Sequence, residues 1–473
     1  MAASDVQKMF DTMTSTFFKS RDASRVHGKL RVATMCSGTE SPLLSLRKIS
    51  DSLIRLYGIT LDVDHVFSCE IEPFKQAYIE RNFAPKLLFR DIRELGSEKA
   101  ATAYGAMRLV PGDVDMLVAG TSCVDYSNLN NDKKSIDDKG ESGQTFRGMM
   151  AWVKKNKPPI VLLENVCQAP WEIVAKKFEE IGYASHFIRL DTKKYHIPHT
   201  RTRVYLLAIL SKDPDVVRKW KQCVKSLESP AAGALESFLF NSDDPRLESK
   251  RDFDSAIKKR GRISADWSRC ESRHKKFRLD EKLGESVPLT SWPTGCRLPE
   301  HAWNDWGKAQ PERVLDLIDI YFLRCAAKNV DATYKSMAWN LSQNVDRSGG
   351  EAILGVTPCL TPSMIPFATI RGGPIIGLES LSLQGIPVDD LVMTRETETQ
   401  MKDLSGNAMT TTVVGACMLS ALWLHGNLKP PDKKEKKECD RPAEPEGRTS
   451  RTSPYFSRGN SSYRARNQEV VRV

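Results

Sequence analysis

The chain has 473 residues, 40% of them hydrophobic, which is enough to bury a sizeable core and to form two or three domains. Its longest apolar stretch, residues 413–424, is too short and too interrupted to span a bilayer, and the N-terminus does not look like a signal peptide, so no membrane role is implied. Eleven cysteines without a CxxC pair suit a reducing compartment and favour neither a disulfide framework nor a metal site, and the net charge of +10 mildly favours a polyanionic partner.

The first 28 residues are polar and differ in composition from the rest of the chain. They carry Asp5, Asp11 and Asp22, which argues against an acid-poor mitochondrial leader. We therefore expect residues 1–28 to form a flexible or capping arm.

From Leu30 onward, short β-rich runs alternate with amphipathic stretches. The runs cover residues 30–36, 64–70, 114–120, 158–166 and 203–210. The amphipathic stretches include residues 73–82 and 148–155. This alternation is typical of strand and helix in a parallel α/β sheet. It predicts a Rossmann-like catalytic domain over residues 29–210.

After residue 210 this alternation is lost. Residues 250–278 hold eleven Lys/Arg against four Asp/Glu, and a tryptophan-bearing segment with Trp292, Trp303, Trp306 and Trp339 comes next. We expect an irregular second lobe over residues 211–385 and a return to the first domain over 386–425. Residues 426–473 are rich in Pro, Ser and charge and poor in aliphatic side chains, so a disordered basic tail is predicted.

Three strand ends carry residues suited to a nucleoside-bearing cofactor. The first strand runs into small residues around Gly38, where backbone can approach a ligand closely, although a plain strand-to-helix turn fits equally well. The second strand ends in Glu70, which could accept hydrogen bonds from ribose hydroxyls, and Asp91 comes after the third. The alternative is that both acids only cap helices.

A thiol, a carboxylate and two cations lie near the ends of later strands. Cys123 lies in a loop after the strand at 114–120, and Glu164 ends the apolar strand at 158–166. Arg201 and Arg203 alternate at a strand entrance, so both can face the same cleft. Each has an ordinary alternative: an inert buried thiol, a helix cap, a solvated strand entrance.

The order of these motifs resembles the cytosine-5 DNA methyltransferase family from about residue 31 to residue 424. The resemblance implies that S-adenosylmethionine is the cofactor. It also implies the residues that bind this cofactor, which are Cys36, Ser37, Gly38, Thr39, Glu40, Glu70, Ile71, Asp91, Ile92, Gly120, Asn407 and Ala408.

The resemblance implies the catalytic roles as well. Cys123 corresponds to the nucleophile that adds to cytosine C6, which requires a lowered thiol pKa. Glu164, in an intact Glu-Asn-Val motif, corresponds to the acid that hydrogen-bonds the ring at N3 and N4. Arg201 and Arg203 match the family's paired arginines and would supply the positive field, while residues 383–387 resemble the exit from the target-recognition lobe.

Three positions depart from the usual family pattern. Ser122 and Val124 replace the Pro and Gln that usually flank the cysteine, so the loop can adopt a different conformation. In the first motif, Glu40 replaces the second glycine. The sequence around Cys123 is most similar to the fungal and algal branch of maintenance-type DNA methyltransferases with a fused helicase-like ATPase. This chain contains no GxxxxGK[ST] loop, so we expect any ATPase to be a partner.

The substrate implied by the resemblance is duplex DNA, from which the target cytosine must be flipped at a cost of roughly a few kcal/mol. The basic stretch at 250–278 is expected to contact phosphates, above all through Lys258, Lys259, Arg260 and Arg262. Its alternative is a solvated linker or a nuclear-import signal. A nuclear enzyme of epigenetic silencing, with a candidate chromatin partner, is the corresponding expectation.

Two other functions stay open at this point. A related branch methylates cytosine in transfer RNA, but it lacks the long basic insertion, and its Cys-Phe-Thr signature is not found between residues 210 and 350. A binding protein that keeps the fold without turnover is suggested by Ser122 and Val124. Retention of Cys123, Glu164 and both arginines argues against it.

Overall fold

A computed structural model describes residues 5–127, 130, 132–211, 213–250, 267–284, 304–345 and 353–428. Several predictions fall outside this part of the chain: the tail after residue 428, Trp292, Trp303 and the four basic residues at positions 258–262.

Twelve strands are present in the described residues. They are β1 (Gly28–Met35), β2 (Leu61–Cys69), β3 (Leu88–Phe89), β4 (Lys99–Ala101), β5 (Met107–Leu109), β6 (Met116–Ala119), β7 (Ile160–Asn165), β8 (Ala184–Asp191), β9 (Thr202–Ile209), β10 (Ala338–Asn340), β11 (Pro366–Ala368) and β12 (Gly373–Pro374). Seven of them form one sheet in the order β3-β2-β1-β6-β7-β9-β8.

The first five strands of that order are parallel, and β9 is antiparallel to both β7 and β8. The strand order reverses at β1: β2 and β3 lie on one side of it, and β6 and β7 lie on the other. The connections after neighbouring strands therefore diverge, which opens a crevice at the carboxyl ends of the strands. The predicted Rossmann-like α/β sheet is confirmed.

The sequence did not reveal β8, whereas β3 ends just before Asp91, where a third strand end was expected. Central strands such as β7 are buried throughout and read as apolar runs, whereas β8 is an edge strand with several half-exposed residues. Its sequence, with His186, Arg189 and Asp191, therefore lacks the apolar signal.

The helices are α1 (Val6–Phe18), α2 (Ser41–Tyr57), α3 (Pro73–Phe83), α4 (Glu141–Asn156), α5 (Trp171–Glu179), α6 (Asp215–Lys225), α7 (Ser268–Asp280), α8 (Asp305–Lys308), α9 (Glu312–Ala327), α10 (Gly377–Ser382), α11 (Glu398–Asn407) and α12 (Thr411–Leu428). Two apolar clusters cover the two faces of the sheet. One contains α1, α2, α6 and α12, and the other contains α4 and α5.

The predicted domain boundary at residue 210 is too early. Helix α6 lies beyond it, yet Val216, Trp220 and Val224 are buried in the same apolar cluster as β1 and β9. The Trp220 indole also donates a hydrogen bond to the carbonyl of Cys417 in α12. The first domain therefore extends at least to the end of α6.

Of the two expectations for residues 1–28, the flexible arm is wrong and the capping arm fits, because residues 6–18 form α1. Asp5 caps the helix by accepting a hydrogen bond from the Lys8 amide, and Phe10 and Phe17 are fully buried. Phe10 lies against Gly415 of α12, where a side chain would collide with its ring. Asp11 pairs with Arg55 and accepts a hydrogen bond from Ser52, both in α2, and Asp22 caps a short turn, so the arm covers the core.

Helix α12 is apolar on every side. Within the described residues, one helical stretch, Glu398–Gly426, is long and apolar enough to cross a membrane, and most of its apolar window is buried in the protein. It therefore behaves as the core helix of a folded domain.

The second lobe combines α7 to α9 with the antiparallel sheet β10-β11-β12. Trp339 stacks between Tyr321 and Phe367, with ring centroids 5.2 and 5.7 Å apart. Four charged or titratable side chains are buried where α7 meets α9. They are His274, Arg278, Asp316 and Asp319.

The basic stretch at residues 250–278 was expected to contact DNA phosphates, but its last residue lies in this buried cluster. Arg278 was expected to lie on a phosphate-binding surface, but it is 2% exposed and pairs with Asp316 and Asp319. The end of the basic stretch thus stabilises the lobe from inside.

Candidate active site

The carboxyl ends of β1, β2, β6 and β7 border a cavity of about 740 Å³. This volume lies within the range of small-molecule and cofactor sites, roughly 300–1,000 Å³. Glu70 and Asp91 border one part of it, and Cys123, Glu164 and Arg203 border another. The strand ends singled out in the sequence therefore meet at one cavity.

Glu70 is held at the end of β2 by backbone amides. One carboxylate oxygen accepts a hydrogen bond from Gly38 at 2.8 Å, and the other accepts from Ile71 and Glu72. A carboxylate offers about four lone-pair positions, so one remains for a ligand hydroxyl. The alternative that Glu70 only caps a helix does not fit, because it links the turn after β1 to the end of β2.

Asp91 and Ile92 come after β3 and border the same cavity. Hydrogen bonds from Arg93 lower the pKa of Asp91, so its carboxylate stays ionised and can accept a hydrogen bond. Ile71 also borders the cavity and is 59% exposed, which offers an apolar surface to a flat ring. These features fit an adenosine group.

A smaller cavity adjoins the turn between β1 and α2. Cys36, Ser37, Gly38 and Thr39 line one side, and Asn407 and Ala408 line the other together with Gly120. A side chain at Gly120 would approach the Met409 methyl to 3.0 Å, so glycine keeps this space open. Most of the cofactor residues implied by the resemblance are thus brought together. Their roles remain predictions.

The loop carrying Cys123 is anchored on both sides. The Asn165 amide donates hydrogen bonds to the carbonyls of Thr121 and Ser122, and Asp125 exchanges hydrogen bonds with Ser142 of α4. The Ser122 hydroxyl accepts a hydrogen bond from the Val124 amide at 3.4 Å. Serine can therefore set the turn before the cysteine through its hydroxyl.

The pKa of Cys123 differs from the sequence-based expectation. Burial, with a further contribution from Glu164, raises this pKa, and the charges of Arg203 and Arg201 only partly oppose the rise. The direction is therefore opposite to the lowered pKa that the resemblance implies, and it favours the protonated thiol at neutral pH.

Glu164 is paired with Arg203 across β7 and β9. Their side chains approach to 3.4 Å, and both are mostly buried. Burial raises the pKa of Glu164, while the arginines limit the rise. The cavity that contains the thiol thus also contains a carboxyl group able to take up or release a proton.

Arg201 has a different environment, although it borders the cavity. Its guanidinium donates hydrogen bonds to the carbonyls of Leu360, Gly406 and Ala408. These carbonyls come from the second lobe and from the end of α11. Arg201 therefore ties two chain segments to the sheet, and Arg203 is the arginine paired with the Glu164 carboxylate.

His199 was not singled out from the sequence. It is fully buried, donates from Nδ1 to the Leu383 carbonyl and accepts at Nε2 from the Leu360 amide. Burial holds the pKa of His199 well below the usual range, so the ring is neutral. A neutral imidazole has one donor and one acceptor nitrogen, as these two hydrogen bonds require. The signal was its place two residues before Arg201.

Lys75 and Asp403 were also missed. They come from α3 and α11, form an ion pair at 2.7 Å and both border the large cavity. Asp403 also accepts a hydrogen bond from Asn407. Only the packing of the two helices brings them together, so no local motif could have indicated this pair.

Comparisons with known proteins agree with this geometry. The sequence pattern of the C-5 cytosine-specific DNA methylase family matches residues 30–420. DNA (cytosine-5-)-methyltransferase DMT5 of Cryptococcus neoformans is 55% identical over 89% of this chain and 18% of its own length. The protein of the same name from Verticillium dahliae is 32% identical over 83% of this chain and 19% of its own length. The chain thus spans about a fifth of these relatives.

Solved structures with low sequence identity were also found. The Schizosaccharomyces pombe Dnmt2 methyltransferase is 16% identical, with 84% of this chain and 98% of that chain covered and a TM-score of 0.42. The Entamoeba histolytica methyltransferase EhMeth is 13% identical, with 85% and 100% covered and a TM-score of 0.42. On its sequence match across residues 30–420, the chain belongs to the C-5 cytosine-specific DNA methylase family.

Proposed function

We propose that this chain transfers a methyl group from S-adenosylmethionine to carbon 5 of cytosine in duplex DNA. The observation that carries the proposal is the single cavity shared by Glu70, Cys123, Glu164 and Arg203. A transfer between two bound molecules requires a nucleoside-binding acid and a nucleophile in one site, so this shared cavity supports the proposal. Membership of the family supports the same reaction.

The residues present fit S-adenosylmethionine. Glu70 would accept ribose hydroxyls, Asp91 would accept from the adenine side, and the small cavity beside Asn407 would hold the methionine part. When bound, this cofactor supplies an electrophilic methyl group. The protein contributes the turn around Gly38, which lets backbone approach the ligand.

Cytosine C5 is a weak nucleophile, so the ring must first be activated. The Cys123 thiol would give its proton to the Glu164 carboxylate, which passes it to ring N3, and addition of the sulfur to C6 then raises electron density at C5. Glu164 would hydrogen-bond the ring at N3 and N4, and a protonated Glu164 no longer opposes thiolate formation at Cys123. After C5 is methylated, loss of its proton and cleavage of the sulfur–C6 bond restore the aromatic ring and the free cysteine.

Further proposals concern DNA and the cell. We propose that the basic segment neutralises DNA phosphates through Lys258, Lys259, Arg260 and Arg262. The binding free energy of these contacts would offset the cost of unstacking the flipped cytosine. The relatives' names support a role in DNA methylation, and a nuclear site, epigenetic silencing and a chromatin or ATPase partner are proposed with it.

The proposal is tested with a labelled-methyl assay on duplex DNA and on transfer RNA, together with covalent capture by a 5-fluorocytosine duplex. Cys123→Ala should lower transfer at least about a thousandfold and abolish capture, while cofactor affinity stays nearly unchanged. Cys167→Ala is the matched control, since Cys167 is also partly buried but does not border the cavity.

Methyl transfer to transfer RNA in place of DNA would contradict the substrate. Failure of the parent chain to form the 5-fluorocytosine adduct would instead favour a binding protein without turnover. Equal loss of cofactor affinity and transfer in Cys123→Ala would remove Cys123 as the nucleophile.

A further inference from the structure

Glu40 has an unusual backbone for its residue type. It lies just before α2 with φ 53° and ψ 36°, in the left-handed region that favours glycine, and its side chain does not cap the helix. It is nevertheless fully buried. A charged side chain in a conformation that glycine adopts at lower cost needs a compensating set of contacts.

Those contacts join the turn to two strands. One carboxyl oxygen of Glu40 accepts hydrogen bonds from Thr34 in β1 at 2.8 Å and from Ser68 in β2 at 2.5 Å. The Ser37 hydroxyl lies 2.8 Å from that of Thr34. The other carboxyl oxygen, Oε2, is buried and has no hydrogen-bond partner within the described residues.

His65 extends this network behind Ser68. Its Nε2 lies 2.9 Å from the Ser68 hydroxyl, and burial lowers the pKa of His65 to about 4, so the ring is neutral. Since Ser68 donates its proton to Glu40, the hydroxyl accepts from His65. The hydrogen bonds therefore run in one direction and end at the Glu40 carboxyl.

The turn held in this way carries the cofactor-facing groups. The Ser37 amide donates to the Cys69 carbonyl, and the Gly38 amide donates to Glu70. Any movement of the turn would shift Gly38 away from Glu70. Glu40 itself does not border either cavity, so it contacts a ligand only through these neighbours.

We propose that Glu40 is a positioning residue for the cofactor, whose carboxyl braces the turn of residues 36–40 so that Gly38 and Glu70 face the cavity together. The inference rests on the proposed function, because it takes S-adenosylmethionine as the ligand. It assigns a task to the residue that replaces the family's second glycine.

The Glu40 carboxyl can gain or lose a proton near neutral pH. Burial raises the pKa of Glu40 to about 7, although the hydroxyls of Ser68, Thr34 and Ser37 oppose the rise. Glu70 adds to the rise, and Tyr78 of α3 also lies near this carboxyl. The positive charge of Arg47 in α2 contributes to lowering the pKa values of both Tyr78 and His65.

The direction of the pH effect is set by charge. The cationic sulfonium favours the ionised form of Glu40, so binding lowers its pKa and releases a proton near pH 7. Below this pH the neutral carboxyl must first ionise, and cofactor affinity falls as pH decreases. Above it Glu40 is already ionised, and affinity no longer changes through this group.

The test is calorimetric titration of S-adenosylmethionine into the 473-residue chain at pH about 6 and about 8, in buffers of different ionisation enthalpy. Glu40→Gly should weaken binding by about tenfold or more. Glu40→Gln keeps an oxygen acceptor for Thr34 and Ser68 but cannot ionise, so it should bind within about threefold of the parent at the lower pH and release no proton.

Ala84→Gly is the matched control, because Ala84 also has a positive φ, at 45°, but is exposed and outside the network. It should bind like the parent. Glu70→Ala should bind weakly and serves as the positive control for the cofactor site. Thermal unfolding checks that each variant is folded.

Parent-like affinity of folded Glu40→Gly, or parent-like proton release by Glu40→Gln, would overturn the inference. If Glu40→Gly does not fold, the proton release of Glu40→Gln decides alone. Absence of binding by the parent chain would contradict the proposed function itself, whatever the variants do.

Discussion

The sheet edge and the second lobe both bury charged side chains, but they use them differently. In the second lobe, Arg278 pairs with Asp316 and Asp319, and His274 lies 2.7 Å from Asp316. At the sheet edge, Glu70 and the other strand-end groups are held from one side and border a large cavity on the other.

The difference shows that burial of charge alone does not identify a functional site. A closed cluster pairs its charges with each other, and removing one member leaves another charge unpaired in a medium of low polarity. An open arrangement keeps hydrogen-bonding capacity for a ligand. A structural cluster uses its hydrogen-bonding capacity on other protein groups, whereas a functional site leaves part of that capacity facing a cavity.

The largest effect is expected in the closed cluster. Asp316→Asn should lower the free energy of unfolding by about 3–5 kcal/mol, because Arg278 and His274 lose their shared carboxylate. Urea unfolding measures this. Cofactor affinity of the folded protein should not change, since the cluster does not border the cavity.

Glu271→Gln is the control in α7, the helix that packs against α9 and carries Arg278. Glu271 pairs with Lys275 on the surface, so its loss should change stability by less than about 1 kcal/mol. If Asp316→Asn were no more destabilising than this control, the cluster would not be a closed structural unit.

The two arginines sharpen the comparison within the active site. Arg201→Gln should lower the free energy of unfolding by about 2–4 kcal/mol, because three backbone carbonyls lose their donors. Arg203→Gln should destabilise the protein less than Arg201→Gln, because Glu164 can take up a proton when it loses the paired cation, but it should lower turnover.

Unfolding curves and single-turnover methyl transfer measured on both variants distinguish these roles. Equal destabilisation by the two substitutions would mean that Arg201 is not the structural member of the pair. Normal turnover in Arg203→Gln would remove Arg203 from the catalytic site.

The smallest effect concerns the basic segment. Neutralising Lys258, Lys259, Arg260 and Arg262 together should weaken DNA binding at every sequence and flatten its salt dependence. Each lost phosphate contact should reduce the log–log slope by about 0.9. Binding is measured over a range of salt concentrations, and cofactor affinity should not change.

A second variant neutralises four basic residues of α6, where most are exposed; they are Arg218, Lys219, Lys221 and Lys225. This control should keep the parent's salt slope. An unchanged slope in the first variant would favour a linker or an import signal for the basic segment.

Much of the catalytic half could be predicted because its information is local. Central parallel strands are apolar along their whole length, and their carboxyl ends meet at one edge, so the residues after each strand indicate the site. Glu70, Asp91, Cys123 and Glu164 were found in this way, and the structure places all of them at one cavity.

Tertiary structure decided what depends on contacts between distant segments. The ion pair of Lys75 with Asp403 and the structural hydrogen bonds of Arg201 have no local signal. The raised pKa of Cys123 is set chiefly by burial, which a sequence does not state. Sequence thus determined which groups reach the sheet edge, because strand periodicity is local, whereas packing determined which of them remain available to a ligand.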